Sequence, residues 1–161
     1  MGPEDHLPQE LPDSCVAASI RTVRAIRGES SSEGVLREAL GPPPRTLGGA
    51  ARSVGGHHHR LDPDNPSDVE FFLAVSARSW LVAEVRDGPA WHHGRRNLVA
   101  PHGALTPAGP TEARGHHAIV ITGGPVRLTY QDPWFEARGQ PLSVDITSFL
   151  QWWWTGDLLL P

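Results

Sequence analysis

The sequence predicts an α+β fold in which helices precede a largely antiparallel sheet. Amphipathic helical patterns fill the first half of the chain, and β-prone segments separated by turn residues follow in the second half. The length of 161 residues suits one compact domain. We therefore expect a single domain over residues 1–161, with residues 1–12 as an extended N-terminal arm.

Four helices are predicted by apolar spacing and by capping residues. The first begins at the N-caps Asp13-Ser14 and ends at Gly28. Its apolar face is made by residues at helical spacing, namely Val16, Ile20, Val23 and Ile26. The other three are expected after a capping box in residues 30–33, over residues 46–54, and from Asn65-Pro66 onward.

Strands dominate the second half of the chain. The β-prone segments span residues 79–85, 117–122, 126–131 and 158–160. The middle two predict a hairpin across Gly123-Gly124-Pro125, and a short helix is expected near residues 146–150. Residues 55–65 and 87–115, which are polar or rich in glycine and proline, are expected to be loops.

Composition excludes several classes of protein. A formal net charge of −4 gives no basic surface for nucleic acid, and no apolar run approaches the roughly 20 residues of a membrane-spanning helix. The single cysteine, Cys15, excludes an internal disulfide framework and a cysteine-rich zinc site. The first residues lack the basic and apolar regions of a signal peptide. We expect a cytoplasmic protein with no nucleic-acid partner and no membrane span.

Cys15 lies at the predicted start of the first helix. Unpaired backbone N–H groups and the positive end of the helix dipole favour a thiolate at such a position. The alternative is a small buried hydrophobic residue, which is the usual role of a lone reduced cysteine. The sequence therefore offers a candidate nucleophile, with a core residue as the other interpretation.

The predicted hairpin brings a histidine near an aspartate. With the turn centred between Gly124 and Pro125, His117 lies opposite Asp132, and the Cβ atoms of opposed residues are about 4.5–5.5 Å apart. An imidazole and a carboxylate can hydrogen-bond across that distance. A turn centred one residue earlier would instead place His117 opposite Tyr130. We favour the first register.

Cys15, His117 and Asp132 are the residue types of a thiol catalytic site. Histidine accepts or shares the thiol proton, aspartate fixes the imidazole tautomer, and hydrogen-bond donors stabilise the oxyanion. Gln9, six residues before Cys15, is the candidate donor alongside the Cys15 backbone N–H. This chemistry needs no cofactor, and we expect none.

Four segments carry a resemblance to a known family. Residues 9–19 resemble the opening of papain-like bacterial cysteine peptidases, most closely the double-glycine leader (bacteriocin-processing) peptidases and their stand-alone relatives. Residues 115–123 look like the histidine strand of that family, and residues 130–134 look like its aspartate motif. Residues 149–160 are similar to its closing helix and strand.

The resemblance implies a papain-like cysteine peptidase fold with Cys15, His117, Asp132 and Gln9 in the catalytic site. His117, rather than His116, matches the family's histidine because glycine stands six residues after it. A peptide or protein substrate is implied, with a leader peptide or a partner protein as candidates. Acyl transfer and deamidation use the same triad as hydrolysis, so a thiol acyltransferase or deamidase stays open.

Two further functions are suggested by a departure from the family's pattern and by the high number of histidines. Val16-Ala17 stands where the family often has Gly-Pro, which keeps open a catalytically degenerate peptide-binding module. Nine histidines, most of them in clusters, would suit a metal-binding protein. Adjacent histidines on an extended chain point apart, so we expect solvated loops and no metal.

Trp134 is expected to prop the catalytic pair, and the tryptophans at 152–154 to lie in the core.

Overall fold

The computed structural model describes residues 6–107 and 115–161. Its helices are α1 (Cys15–Ile26), α2 (Glu33–Leu40), α3 (Leu47–Val54), α4 (Pro66–Ser76), α5 (Asp87–Gly94), α6 (Ala100–His102) and α7 (Ile146–Ser148). π-Helical turns over Arg95–Val99 and Phe149–Trp153 continue α5 and α7. The strands are β1 (His57–Arg60), β2 (Leu81–Arg86), β3 (His116–Thr122), β4 (Arg127–Gln131), β5 (Leu142–Asp145) and β6 (Trp154–Leu160).

The strands form one antiparallel sheet of six in the order β1-β6-β2-β3-β4-β5. Helices α1, α2 and α3 pack on one face of it. The predicted α+β class, with N-terminal helices packed on a mainly antiparallel sheet, is therefore confirmed.

The sheet is buried on both faces, and alternation along β3 divides the two cores. Ala118 and Val120 pack toward the helical layer, whereas Ile119 and Ile121 pack into the opposite cluster. The second cluster is rich in aromatic side chains, including Phe72, Tyr130, Trp134, Phe135, Phe149, Trp153 and Trp154. Helix α1 lies on the first side and the turn after β4 contributes to the second. The start of β3 is thus where residues from both sides can meet.

The helix starts follow their capping residues. Asn65 accepts hydrogen bonds from the backbone N–H groups of Ser67 and Asp68 at the start of α4, as its Asn-Pro signature predicts. Helix α2 is capped by Ser32, whose hydroxyl oxygen accepts from the Val35 N–H. The predicted capping box is therefore wrong in detail, because Glu33 is the first helical residue and is fully buried.

Two segments expected to be loops contain regular structure. Residues 57–60 form β1, because the last strand, β6, provides an edge with which they pair. Residues 87–102 form α5, α6 and the turn between them, and Gly94 gives α5 room to lie against Phe135. Glycine here reflects close packing and not a loop. Residues 108–114 of the second predicted loop lie outside the described residues. Strand β5 was not predicted.

The hairpin is present, but its predicted register is wrong. Val120 pairs with Gln131 and Thr122 pairs with Thr129, a shift of two residues from the expected pairing. The reason is that the connection is longer than a tight turn: Gly123 N–H donates to the Ser76 carbonyl at 2.7 Å, drawing the chain toward α4. Neither His117–Asp132 nor His117–Tyr130 is a ladder pair. A shift of two keeps every side chain on its predicted face.

Candidate active site

Cys15 is the first residue of α1 and is half-buried. The turn before it is closed by Ser14, whose hydroxyl donates to the Leu11 carbonyl at 2.9 Å and accepts from the Leu11 N–H at 3.1 Å. The N–H groups of a first helical turn have no carbonyl partner within the helix. Cys15 also borders a cleft of about 220 Å³ whose other walls include Leu47, Glu84 and His116. The thiol thus lies where backbone donors and open space meet.

His117 is buried at the start of β3, where it neighbours both Asp132 and Cys15. Its Nε2–H donates to Oδ1 of Asp132 at 2.7 Å. Cys15 is close enough to the imidazole to act on it through charge and hydrogen bonding, although the buried Nδ1 has no partner with full hydrogen-bond geometry among the described residues. The three side chains form one line of contacts, Cys15–His117–Asp132.

The electrostatics of this line favour a protonated imidazole. Burial lowers the pKa of His117, but the charge of Asp132, its hydrogen bond and the contacts with Cys15 outweigh burial and raise that pKa to about 9. Asp132 is fully buried, and its Oδ2 has no hydrogen-bond partner among the described residues. A buried carboxylate requires a countercharge, which an imidazolium supplies.

Asp132 reaches His117 from a tight turn just beyond β4. Its Oδ1 accepts from the Trp134 N–H at 2.9 Å, and its carbonyl accepts from the Phe135 N–H at 3.2 Å. Gln140 crosses this turn: its Oε1 accepts from the Asp132 N–H at 2.7 Å, and its Nε2 lies 2.9–3.1 Å from the carbonyls of residues 132, 135 and 136. Buried His6 joins it, with Nε2 at 2.8 Å from the Phe135 carbonyl.

Trp134 covers the His117–Asp132 bond. Its ring lies parallel to the imidazole, with 3.5 Å between centroids and 6° between planes. Trp91 packs edge-on against Trp134 from behind, at 5.6 Å. Trp134 therefore lies beside the His117–Asp132 pair, at the position that the sequence predicts.

Gln9 lies on a second cleft, of about 190 Å³, that it shares with Trp134. Its backbone N–H donates to the Pro133 carbonyl at 2.8 Å, so it is attached to the turn that holds Asp132. Its side-chain Nε2 donates to the Leu11 carbonyl at 2.7 Å. An amide nitrogen carries two protons, and the second is available for another acceptor. The structure thus brings Cys15, His117 and Asp132 into contact and sets Gln9 beside their covering tryptophan.

The side chain of His116 points to the opposite face of β3 from that of His117. Its side chain is 56% exposed, and its Nδ1 is 3.3 Å from Oε1 of Glu84. Of the two neighbouring histidines, it is His117 that has both Cys15 and Asp132 as neighbours.

Sequence reasoning missed the residues that hold the site in place. His6, Arg21, Glu33 and Gln140 are all buried and polar, yet each stands in a segment whose local pattern suggests solvent. Burial of a polar side chain carries no sequence signal when its partners are distant in the chain.

The remaining predictions concern clusters away from this line. Trp153 and Trp154 are buried as expected, whereas Trp152 is 61% exposed. Across residues 6–107 and 115–161, no group of three or more His, Cys, Asp or Glu side chains is arranged to hold a metal ion. Each helix in these same ranges is too short or too polar to cross a membrane.

No protein-family model matches the chain, and no curated protein matches it. Among solved structures, it is similar to the peptidase domain of Streptococcus ComA, a bi-functional ABC transporter involved in a quorum-sensing pathway. The TM-score is 0.60 at 17% sequence identity, and the match covers 96% of this chain and 94% of the other. At this identity the similarity establishes the fold. The predicted resemblance to papain-like leader peptidases is thereby confirmed at the level of structure.

Proposed function

We propose that this chain is a cysteine peptidase that hydrolyses a peptide bond in a peptide or protein substrate. The observation that carries the proposal is the line of contacts Cys15–His117–Asp132 at the start of a helix, within a fold shared with a peptidase domain. A raised pKa at His117 supports a thiolate–imidazolium pair, the reactive form of a thiol nucleophile.

In the first half of the reaction, the Cys15 thiolate attacks the carbonyl carbon of the scissile bond. The carbonyl oxygen becomes an oxyanion, for which the Cys15 N–H and the Gln9 amide are the proposed donors. His117 gives its proton to the departing amine as the C–N bond breaks. An acyl thioester on Cys15 remains, and Asp132 keeps the now neutral imidazole oriented.

In the second half, water replaces the amine. His117 accepts a proton from water, whose oxygen attacks the thioester carbonyl. The C–S bond then breaks, the carboxylic acid product leaves, and the thiolate–imidazolium pair is restored. An amine in place of water would give acyl transfer, and a glutamine side chain as substrate would give deamidation.

The substrate proposed is a leader peptide or a partner protein. The leader peptide is included because residues 9–19, 115–123 and 130–134 resemble the motifs of leader peptidases. The peptidase domain of similar structure belongs to a transporter. A cytoplasmic location is part of the proposal, because the single thiol must stay reduced to act.

The test measures alkylation of Cys15 by iodoacetamide against pH, in the parent chain and in the variants His117→Ala and His116→Ala. We expect rapid alkylation below pH 7 in the parent and in His116→Ala, and its loss in His117→Ala. Alkylation that rises only near pH 8.5 in all three, as for an ordinary thiol, contradicts the proposal and favours a peptide-binding module.

A second assay separates the reactions that share the triad. A peptide library is incubated with the parent and with Cys15→Ala, and the products are identified by mass spectrometry. Cleavage with addition of water supports hydrolysis. Products joined to an added amine would indicate an acyltransferase, and conversion of glutamine to glutamate would indicate a deamidase.

A further inference from the structure

We propose that the buried ion pair between Arg21 and Glu33 positions the oxyanion side of the site, because it fixes the backbone on both sides of Gln9. The inference rests on the proposed function and deepens it. Arg21 and Glu33 are positioning residues in this view, since they act through Gln9 and contact no reacting atom.

Arg21 holds the chain before Gln9. This residue lies on α1, and its side chain is only 7% exposed. Its Nη2 donates to the Leu7 carbonyl at 2.5 Å and to the Pro8 carbonyl at 3.1 Å. Its Nη1 is 3.1 Å from Oε2 of Glu33. One guanidinium thus binds two consecutive carbonyls and a carboxylate.

Glu33 holds the chain after Gln9. Its side chain, at the first position of α2, is completely buried. Its two oxygens accept from the Glu10 backbone N–H at 3.0 and 3.2 Å. The Glu10 side chain is tied down as well, with Oε2 at 2.9 Å from Nη2 of Arg37. The carboxylate therefore binds both Arg21 and the peptide that follows Gln9, and Nε of Arg37 lies 3.8 Å from its Oε1.

Gln9 is consequently fixed from three directions. The Arg21 bonds precede it, the Glu33 bonds follow it, and its own N–H donates to the Pro133 carbonyl. Arg21 and Cys15 belong to the same helix, six residues and roughly 9 Å apart along its axis. A single rigid helix therefore carries the nucleophile and also anchors the segment that bears the oxyanion donor. Misplacement of a catalytic group by about 1 Å can cost a hundredfold in rate.

A purely structural role for the pair makes a different prediction. A buried ion pair that is only structural acts on the stability of the fold, so its replacement would affect all Cys15 chemistry equally or not at all. A positioning role affects only reactions that pass through an oxyanion. Two thiol reagents separate these cases.

Iodoacetamide is attacked at a saturated carbon, iodide leaves, and no oxyanion forms. p-Nitrophenyl acetate is attacked at its carbonyl: the thiolate forms a C–S bond, an oxyanion develops, and p-nitrophenolate leaves while Cys15 is acetylated. We expect Glu33→Gln to slow acetylation about tenfold or more and to leave alkylation at pH 6 within about twofold. Gln9→Ala should show the same selective loss of acetylation. The combined variant Gln9→Ala/Glu33→Gln should be acetylated no more slowly than Gln9→Ala alone.

The neutral pair Arg21→Gln/Glu33→Gln is measured in parallel, because Glu33→Gln alone leaves a buried guanidinium without its carboxylate. Circular dichroism checks that each variant is folded. The inference is overturned if Glu33→Gln slows both reagents equally or leaves acetylation unchanged. It is also overturned if Gln9→Ala/Glu33→Gln is acetylated more slowly than Gln9→Ala. If Glu33→Gln and Arg21→Gln/Glu33→Gln both fail to fold, the ion pair is a requirement for folding, and the inference is overturned as well.

The parent chain shows which proposal has failed. If the parent is not alkylated below pH 7, the proposed function itself is wrong. If the parent is alkylated there and the Glu33 variants acetylate at the parent rate, the peptidase proposal stands and only the positioning role falls.

Discussion

His117 is the residue on which burial and charge act in opposite directions. Burial alone would lower its pKa, and Asp132 is the largest influence that raises it. We predict that Asp132→Asn lowers the pKa of His117 from about 9 by about 1 to 3 pH units. The imidazolium is the proposed acid for the leaving amine, so parent activity should fall as pH rises through 9, and the variant should lose activity at lower pH.

NMR titration of the histidine ring protons measures this, with the His117 signals assigned by their loss in His117→Ala. The matched control is Glu84→Gln, which removes a carboxylate next to His116 and should leave the His117 pKa in place. An unchanged pKa in Asp132→Asn would show that the carboxylate does not charge the ring.

Trp134 is expected to stabilise the charged ring as well as to cover it. An indole face against a desolvated cation contributes about 1–2 kcal/mol, and the two rings are parallel at 3.5 Å. Trp134→Ala should therefore lower the His117 pKa by about one pH unit, and Trp134→Phe should lower it less. The same NMR titration reports both. Trp152→Ala removes an exposed tryptophan and is the control; equal titrations of Trp134→Ala and the parent would contradict the prediction.

The three residues of the line could be found from sequence because each has a local signal. Cys15 follows an N-cap, His117 begins a β-prone run, and Asp132 follows the next one. Arg21 could not be found, since it occupies the polar face of an amphipathic helix, where solvent is the usual neighbour. What buries it is the arm of the chain, which has no periodic pattern of its own.

At the scale of elements, the turn after β4 determines where Asp132 points. Asp132 and His117 are in contact as predicted, but the predicted register is wrong: Asp132 bonds to His117 from a turn beyond the ladder, and not from a position opposite it. Hairpin register depends on the length of the connection, which here is set by contacts with α4 that no local pattern reveals. Each side chain still lies on its predicted face of the sheet, because a register shift of two residues does not change the face.

Gln140 is predicted to stabilise that turn. Gln140→Leu removes the acceptor of the Asp132 N–H and the donor to three carbonyls, and each buried polar group left without a partner costs about 1–3 kcal/mol. We expect the free energy of unfolding, measured by urea denaturation, to fall by at least about 2 kcal/mol. Gln151→Leu, at an exposed position, should change it by less than about 0.5 kcal/mol. Equal stabilities of the two variants would contradict this role.

For the whole molecule, the ionic state of the site should be visible in global stability. The slope of unfolding free energy against pH is the difference in protons bound by the unfolded and folded chains, at about 1.4 kcal/mol per proton and pH unit. Below pH 6.5, His93 also contributes to the pH dependence of stability. Its pKa is lowered to about 4, mainly by burial, so stability is lost as pH falls in that range. The informative window is therefore above pH 6.5.

In Cys15→Ala, the unfolded chain releases the His117 proton near pH 6.5 while the folded chain keeps it, since Asp132 still raises the pKa. The contribution of His117 is thus complete below pH 6.5 and is lost as pH rises through the folded pKa. In the parent, the unfolded thiol keeps one proton up to about pH 8.5, and a folded thiolate–imidazolium pair also keeps one. Between pH 6.5 and 8.5, we predict that the contribution of the pair to the free energy of unfolding stays constant in the parent. In Cys15→Ala, the contribution of His117 should decline as pH rises.

Urea denaturation of both proteins at intervals from pH 6.5 to 8.5 measures the difference, and other titrating groups cancel because the two chains share them. The difference in stability should change in favour of the parent as pH rises, by about 1.4 kcal/mol per pH unit at first. A neutral thiol beside an imidazolium would bind two protons in the folded parent against one unfolded, so the two curves would run parallel. A neutral imidazole would leave both contributions flat over the same range. Only the diverging curves are compatible with a charged pair, and they report it without any substrate.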